Sequence, residues 1–350
     1  MKTVAGKILL LLFSSLLVVS CTSLTPPPAP IPTYTATVSG TPEGLPTQNP
    51  LSAELIDYTH KKLIYQLKIP VNWKVDEQES FTIITAPDDS ASIEVNAVNT
   101  GIELNELGFA NFVDATENNN YAGLRNYAQV ERKVDNQKSV ATLQSTFDSG
   151  NIPQKMLSIY QREGILVFYM HFQTSASTYE KNNPLFEQII QSALFNSSAT
   201  AEIIPYNIVY DFNGSKNLFI LEIPTNWTYQ KNTINNGILD KFLSPDGHAR
   251  IENITYDDGN PITRAKADRI ALELLKELYA NDVRISEAQT QPDLSIRWSW
   301  ASTKSGIEGT SFYETRGTSF LMLTLYWDKD YTDIFNPLFN RIIQTYHPLG

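Results

Sequence analysis

The sequence predicts an α+β protein made of two tandem copies of one unit, each an antiparallel sheet flanked by helices. Three observations lead there. Short segments of the first half return in the same order in the second half. Between them, runs of alternating apolar and polar residues bounded by Pro, Gly, Asn and Asp have the period of half-buried strands. Each half then closes on the phrase NPLF, at Asn183 and again at Asn336, followed by an apolar stripe at helical spacing.

The chain begins with something else. Lys2 and Lys7 lead into an apolar run from Ile8 to Leu12 that continues through Val19, before Ser20 and Cys21. This is the charged start, short apolar stretch and small-residue cleavage site of an export signal over residues 1–20, and it is too short to span a bilayer comfortably. LVVSC resembles a bacterial lipobox, and Cys21 is the only cysteine in the 350 residues. The resemblance implies cleavage before Cys21 and lipidation of its thiol, so the protein is expected outside the cytoplasm, anchored to a bacterial membrane by an N-terminal lipid. Each buried methylene of such a lipid contributes about 0.8 kcal/mol, so two or three chains anchor stably. With its one thiol used, the folded part must be stable by core packing without disulfides.

Without Lys2 and Lys7, 25 basic residues face 38 acidic ones, a net charge of −13. That excludes nucleic acid as a natural partner and makes anionic headgroups repulsive, so the membrane is reached through the lipid. Residues 21–52 read as a tether. From Thr22 to Pro50 there are eight prolines, and Glu43 is the only charge. With no apolar period to bury, the segment is expected to be a spacer, about 30 Å end to end as flexible coil and at most about 90 Å as polyproline II.

At 42% apolar and 11% aromatic residues the remainder is globular in composition. The copies are expected at 53–198 and 201–350. AELIDY at Ala53 pairs with AEIIPY at Ala201, and LIYQLKIPVNW at Leu63 with NLFILEIPTNW at Asn217. PDDSASIE at Pro87 pairs with PDGHARIE at Pro245, and YQREG at Tyr160 with YETRG at Tyr313. Tyr65, Leu67 and Ile69 share one face of a strand that Pro70 ends; Phe219, Leu221, Ile223 and Pro224 repeat it. Further strands are predicted around 81–85, 91–98, 140–147, 156–161 and 165–172. A helix in the second copy is predicted with Asn260 as its cap and Pro261 at its first position, carrying Ile262, Ala265, Ile270, Leu274, Leu275 and Leu278. The NPLF phrases are read as helix starts, with Asn183 and Asn336 as caps and Pro184 and Pro337 in the first turn.

IPVNW at Ile69–Trp73, IPTNW at Ile223–Trp227 and the closing helices ending near Phe195 and Tyr346 resemble the PsbP family, extrinsic proteins of the photosynthetic oxygen-evolving complex whose fold Ran-binding proteins share. The resemblance covers both copies. It implies an α/β/α sandwich in each and non-catalytic roles in assembly or protein binding. Metal ligands of that family do not map onto this sequence.

The chemical motifs point the same way. His60, His171, His248 and His347 have no metal-ligand spacing, and neither GxSxG nor a GxxxxGK loop occurs. The chain is therefore expected to be a non-enzymatic binding or assembly module with an extracytoplasmic protein partner. The alternative is a receptor for a small ligand, a sugar or calcium. No cofactor is called for beyond the covalent lipid at Cys21. Calcium is the ion suited to the carboxylates Asp257 and Asp258 in TYDDGN and Asp328 and Asp330 in DKDYTD, although DKDYTD has Asp333 and Phe339 where an EF-hand needs Gly and Glu. In SIRWSWAS, Trp298 and Trp300 fall on one side of a strand whose first-copy equivalents are Leu143 and Ser145. Exposed, the pair would stack on a sugar or a partner; buried, it would pack under a helix.

Overall fold

The computed structural model describes residues 54–349 apart from Ala280, Glu287 and Asp293. The predicted signal, Cys21 and the tether lie outside them.

In the first lobe, β1 (Leu55–Thr59) and β2 (Tyr65–Pro70) form a hairpin. The chain then builds β3 (Lys74–Glu77), β4 (Phe81–Thr85) and β5 (Ala91–Asn99), crosses through α1 (Glu106–Tyr121), and returns as β6 (Ala128–Asp135), β7 (Val140–Ser149), β8 (Ile152–Glu163) and β9 (Leu166–Ser175). After α2 (Tyr179–Ser192), the short β10 (Leu194–Phe195) pairs with β2. The main sheet is antiparallel, in the order β3-β4-β5-β9-β8-β7-β6. Strand alternation divides its side chains between two cores. Ile93, Val95, Phe168, Met170 and Phe172 face the hairpin and α2, where Leu185, Phe186 and Ile189 meet them. Val98, Leu143, Tyr160 and Tyr169 face the other way, onto Phe109, Phe112 and Val113 of α1.

The second lobe repeats the plan. β11 (Val209–Asn213) and β12 (Phe219–Pro224) pair, followed by β13 (Thr228–Ile234), β14 (Gly237–Leu243), β15 (Ala249–Asp257) and α3 (Arg264–Leu278). Two short pieces, β16 (Arg284–Ile285) and β17 (Gln289–Thr290), edge β18 (Ile296–Ser302), and β19 (Ile307–Arg316) and β20 (Ser319–Asp328) complete the sheet. The chain ends with α4 (Thr332–Ile343) and β21 (His347–Pro348), the latter on β12. Each lobe is thus an antiparallel sheet between helices, the α+β class expected. Among the described residues no named strand of one lobe pairs with one of the other, and one isolated parallel bridge joins Asn99 and Pro205.

Three helix starts differ from expectation. α2 and α4 begin upstream, so Asn183 with Pro184 and Asn336 with Pro337 lie inside them and cap nothing. The reason is aromatic burial. Tyr179 packs beside Phe186, and Phe335 stacks on Phe339 one turn on, at 6.1 Å. Wrapping those rings into the core outweighs the backbone bond that a proline inside the helix forfeits. α3 is capped by Thr263, whose hydroxyl accepts the Lys266 amide. Asn260, restricted by the following proline, instead donates its amide to Asp258 Oδ1 in a turn.

The lobes meet through α1. Asn111 Nδ2 donates to the Pro245 carbonyl at 3.1 Å, and Asn119 Nδ2 to the carbonyls of Thr225 at 2.8 Å and Trp227 at 2.9 Å. Ile102 packs into the second lobe's core and Ile208 into the first lobe's. Asn207 Nδ2 donates to Ser80 Oγ and the Ala97 carbonyl, while Asn99 Nδ2 donates to the Ile203 carbonyl at 2.8 Å. Gly101 is required at this crossing, because its φ is +71° and a Cβ there would stand 2.6 Å from Ile334 Cγ2.

Candidate functional site

Trp298 and Trp300 share a face, as the alternation predicts, but that face is covered. They are 7% and 3% exposed, in the core beneath α3 with Ala267, Ala271 and Leu275. Trp298 meets Tyr313 edge to face at 4.8 Å, and Trp300 stacks on Tyr279 at 5.3 Å and donates its indole N–H to Ser311 Oγ. This corrects the stacking-platform reading: indoles enclosed this way have no face left for a sugar or partner. Gly309 makes their fit possible, since a Cβ there would approach Trp300 Cζ2 to 2.8 Å.

The carboxylates read as calcium ligands do not converge. Asp257 lies opposite Ser319, and Asp328 borders Trp327, which lies opposite Ala249. Eight residues of ladder, about 26 Å, separate the two groups. Asp257 and Asp258 form a turn in which Lys266 holds the Asp258 carboxyl down to about 2, with the Asn260 amide adding to it. Asp330 is exposed in a short 3-10 turn. No group of three or more metal-ligating side chains occurs among the described residues, so the calcium assignment is withdrawn for these four.

Two polar constellations escaped the sequence reading. One is buried under α1. His171, 3% exposed, lies with its Nδ1 2.6 Å from the Tyr121 hydroxyl and its Nε2 3.1 Å from the Tyr160 hydroxyl. Glu117, 2% exposed, accepts from Tyr160 at 2.8 Å and Tyr127 at 3.1 Å. Glu94 and Glu117 each stand 3.7 Å from the imidazole. Burial, reinforced by Glu117, pushes the Tyr160 hydroxyl well above its ordinary value, so it remains a donor. The network is closed by its own partners and fixes the packing of α1 on the sheet.

The other constellation opens to the surface. Where β15 begins and β20 ends, beside the C-terminus of α3, a cleft of about 250 Å³ is lined by His248, Arg250, Tyr279, Ser305, Tyr326 and Asp328 with Leu278 and Ile307. Period 2 places His248, Arg250 and Glu252 on one face. His248 Nδ1 is 2.7 Å from Asp328 Oδ2, and its ring stacks on Tyr331 at 4.1 Å. Arg250 donates to the Tyr326 hydroxyl at 3.0 Å, which donates to Glu252 Oε1 at 3.2 Å. Lys241 stands 3.6 Å from the same oxygen. The strand register makes Ser90, Ser92, Gln173 and Ser175 the first-lobe equivalents of His248, Arg250, Tyr326 and Asp328. That contrast was visible in PDDSAS against PDGHAR, where two serines of one copy face His and Arg in the other. A larger cavity of about 300 Å³ lies between Phe312, Leu321, Leu323, Ile343 and Tyr346, away from these charges.

No protein-family model and no curated protein sequence matches the chain. Among solved structures it is similar to cyanobacterial PsbP (CyanoP) from Synechocystis sp. PCC 6803, at 14% identity and a TM-score of 0.33, over 45% of this chain and 98% of that one. It is also similar to PA94 of Pseudomonas aeruginosa, described as a putative regulator of unknown function, at 15% identity and a TM-score of 0.28, over 40% of this chain and 95% of that one. The immunity protein TplEi of the T6SS of Pseudomonas aeruginosa is similar at 12% identity and a TM-score of 0.20, over 79% of this chain and 98% of that one. No residue role transfers at these identities.

Proposed function

We propose that this chain is an exported lipoprotein, anchored through Cys21 and tethered by residues 21–52, whose two PsbP-like copies act as a non-enzymatic binding or assembly module outside the cytoplasm. The sequence support is the lipobox with its single cysteine, the proline-rich spacer and the paired IPVNW and IPTNW motifs. The structural observation that carries the reading is the contrast between matched strand ends. Two copies share one plan, yet only the second-lobe set places an Arg, a His and a Tyr beside an aspartate in an open cleft. Polar groups held on strand ends around a concavity suit recognition.

The test is metabolic labelling with palmitate, membrane fractionation and crosslinking of the full-length protein, beside Cys21→Ala. Labelled protein in the membrane fraction with a discrete crosslinked partner, both lost in Cys21→Ala, supports the proposal. Unlabelled protein that stays in the cytosol overturns it. In the small-ligand form of the reading, the cleft of about 250 Å³ would take an occupant smaller than the drug-sized molecules of roughly 300–1,000 Å³ pockets.

A further inference from the structure

We infer that the second-lobe cleft is a binding site for a small zwitterion of the free α-amino-acid class, its carboxylate on Arg250 and its ammonium on Asp328. The inference rests on the binding-module reading and names the ligand for it.

The charges decide the class. Arg250 spends one terminal N–H on the Tyr326 hydroxyl and its Nε is buried, so the donors it can turn to a ligand are the remaining terminal N–H groups. A guanidinium is a planar fork of five donors that matches a carboxylate. Asp328 engages His248 through Oδ2, which leaves Oδ1 as an acceptor. His248 is itself fixed by its stacking on Tyr331 and by the bond from its amide to Asp246 Oδ1 at 2.7 Å. The aspartate is therefore held in place before any ligand arrives, which lowers the ordering cost of binding.

A simple anion would meet the repulsion of Asp328, and a simple cation that of Arg250; Glu252 behind them is already paired with Lys241. A molecule carrying both charges answers both walls and leaves neither charge of the cleft unpaired. Leu278 and Ile307 add an apolar strip to the lining, which suits an aliphatic side chain.

The test is calorimetric titration of the full-length protein in detergent with L-leucine, 4-methylpentanoate and 3-methylbutylamine, which keep the side chain and delete one charge at a time. Saturable binding of leucine is expected, with each analogue weaker by about tenfold or more, as the loss of a charge-assisted bond implies. Arg250→Gln should weaken leucine by about tenfold and erase its advantage over the amine; Asp328→Asn should erase its advantage over the acid. Ser305→Phe adds a check that leaves the charge network intact, because Ser305 is exposed on the turn at the cleft and a ring there blocks entry. It should abolish binding with an unchanged circular dichroism spectrum. Absence of saturable leucine binding, or leucine binding unaffected by both Arg250→Gln and Ser305→Phe, overturns the inference. If a crosslinked partner is still recovered in that case, the binding-module reading stands and only the zwitterion falls.

Discussion

The layer under α1 and the layer under α3 occupy the same place in two copies of one fold, yet they are built from opposite chemistry. Under α1, Glu117, His171 and Ser145 support a tyrosine network. At the corresponding positions under α3 stand Leu275, Thr324 and Trp300, in an aromatic core. In the second lobe the Trp300 indole donates to Ser311, whose hydroxyl reaches Thr324 at 2.9 Å. In the first lobe Ser158, the equivalent of Ser311, has a buried hydroxyl without a hydrogen-bond partner. The backbone plan therefore fixes where this layer sits and not whether it is polar. Volume and hydrogen bonding are balanced within each copy, so single exchanges between copies should fail.

Trp300→Ser, which writes the first copy's residue into the second, should be the most costly exchange, at about 3–5 kcal/mol for truncating a buried indole. Chemical denaturation reads it directly. A loss below 1 kcal/mol would mean that the layer can collapse around the gap and that the two chemistries are interchangeable. His171→Thr and Glu117→Leu each strand tyrosine hydroxyls in the interior, at about 1–3 kcal/mol apiece. Because both residues bond Tyr160, the double variant should cost less than the sum; strict additivity would show that they do not form one network.

Asn119→Ala tests the lobe contact. Losing the bonds to the Thr225 and Trp227 carbonyls should cost about 1–2 kcal/mol and separate the melting of the lobes. A single unshifted transition would show the two behaving as one unit without it.

The smallest effect is on pH dependence, and it belongs to the first lobe. Burial lowers the His60 imidazole below its ordinary value of 6.5, against the pull of the Gln78 carbonyl. A depressed histidine contributes stability above its unfolded value that is lost as pH falls through the folded one. For Glu94, burial pushes the carboxyl up, but His171 and Asn96 outweigh it and hold it below its ordinary value of 4.5. Its contribution is lost on acidification in a lower window. Melting temperature should therefore fall in two steps, first below about pH 6.5 and again below about pH 4.5. His60→Gln should remove the first step; its persistence would place the titrating group elsewhere.

Much of this plan was legible. The alternation at Tyr65–Ile69 and Phe219–Ile223, stopped by proline, gave β2 and β12 at once, and the 81–85 segment coincides with β4. What escaped was set by tertiary contact. β6 is exposed along nearly its whole length, so no apolar period marks it. α1 spends Asn111 and Asn119 on the other lobe, and its polar residues therefore read as surface. The cleft was missed for a related reason. In sequence Asp328 stands beside Asp330, whereas in the fold its partner is His248, 80 residues away across the sheet.

The reciprocal insertion of Ile102 and Ile208 has a consequence for how the molecule can be taken apart. Each lobe's hydrophobic interior is completed by residues carried on the other's chain, Ile102 in one direction and Ile203 with Ile208 in the other, and the link between them is the 3-10 helix Ser197–Glu202, whose Ala199 is itself buried in the first lobe's core. Two separately synthesised fragments, each presenting a socket for the other's isoleucine, are equipped to find one another and reassemble. The pair is a natural system for fragment complementation, in which a reporter split between the fragments would register the fit of the whole contact, the isoleucines together with the asparagine bonds of α1.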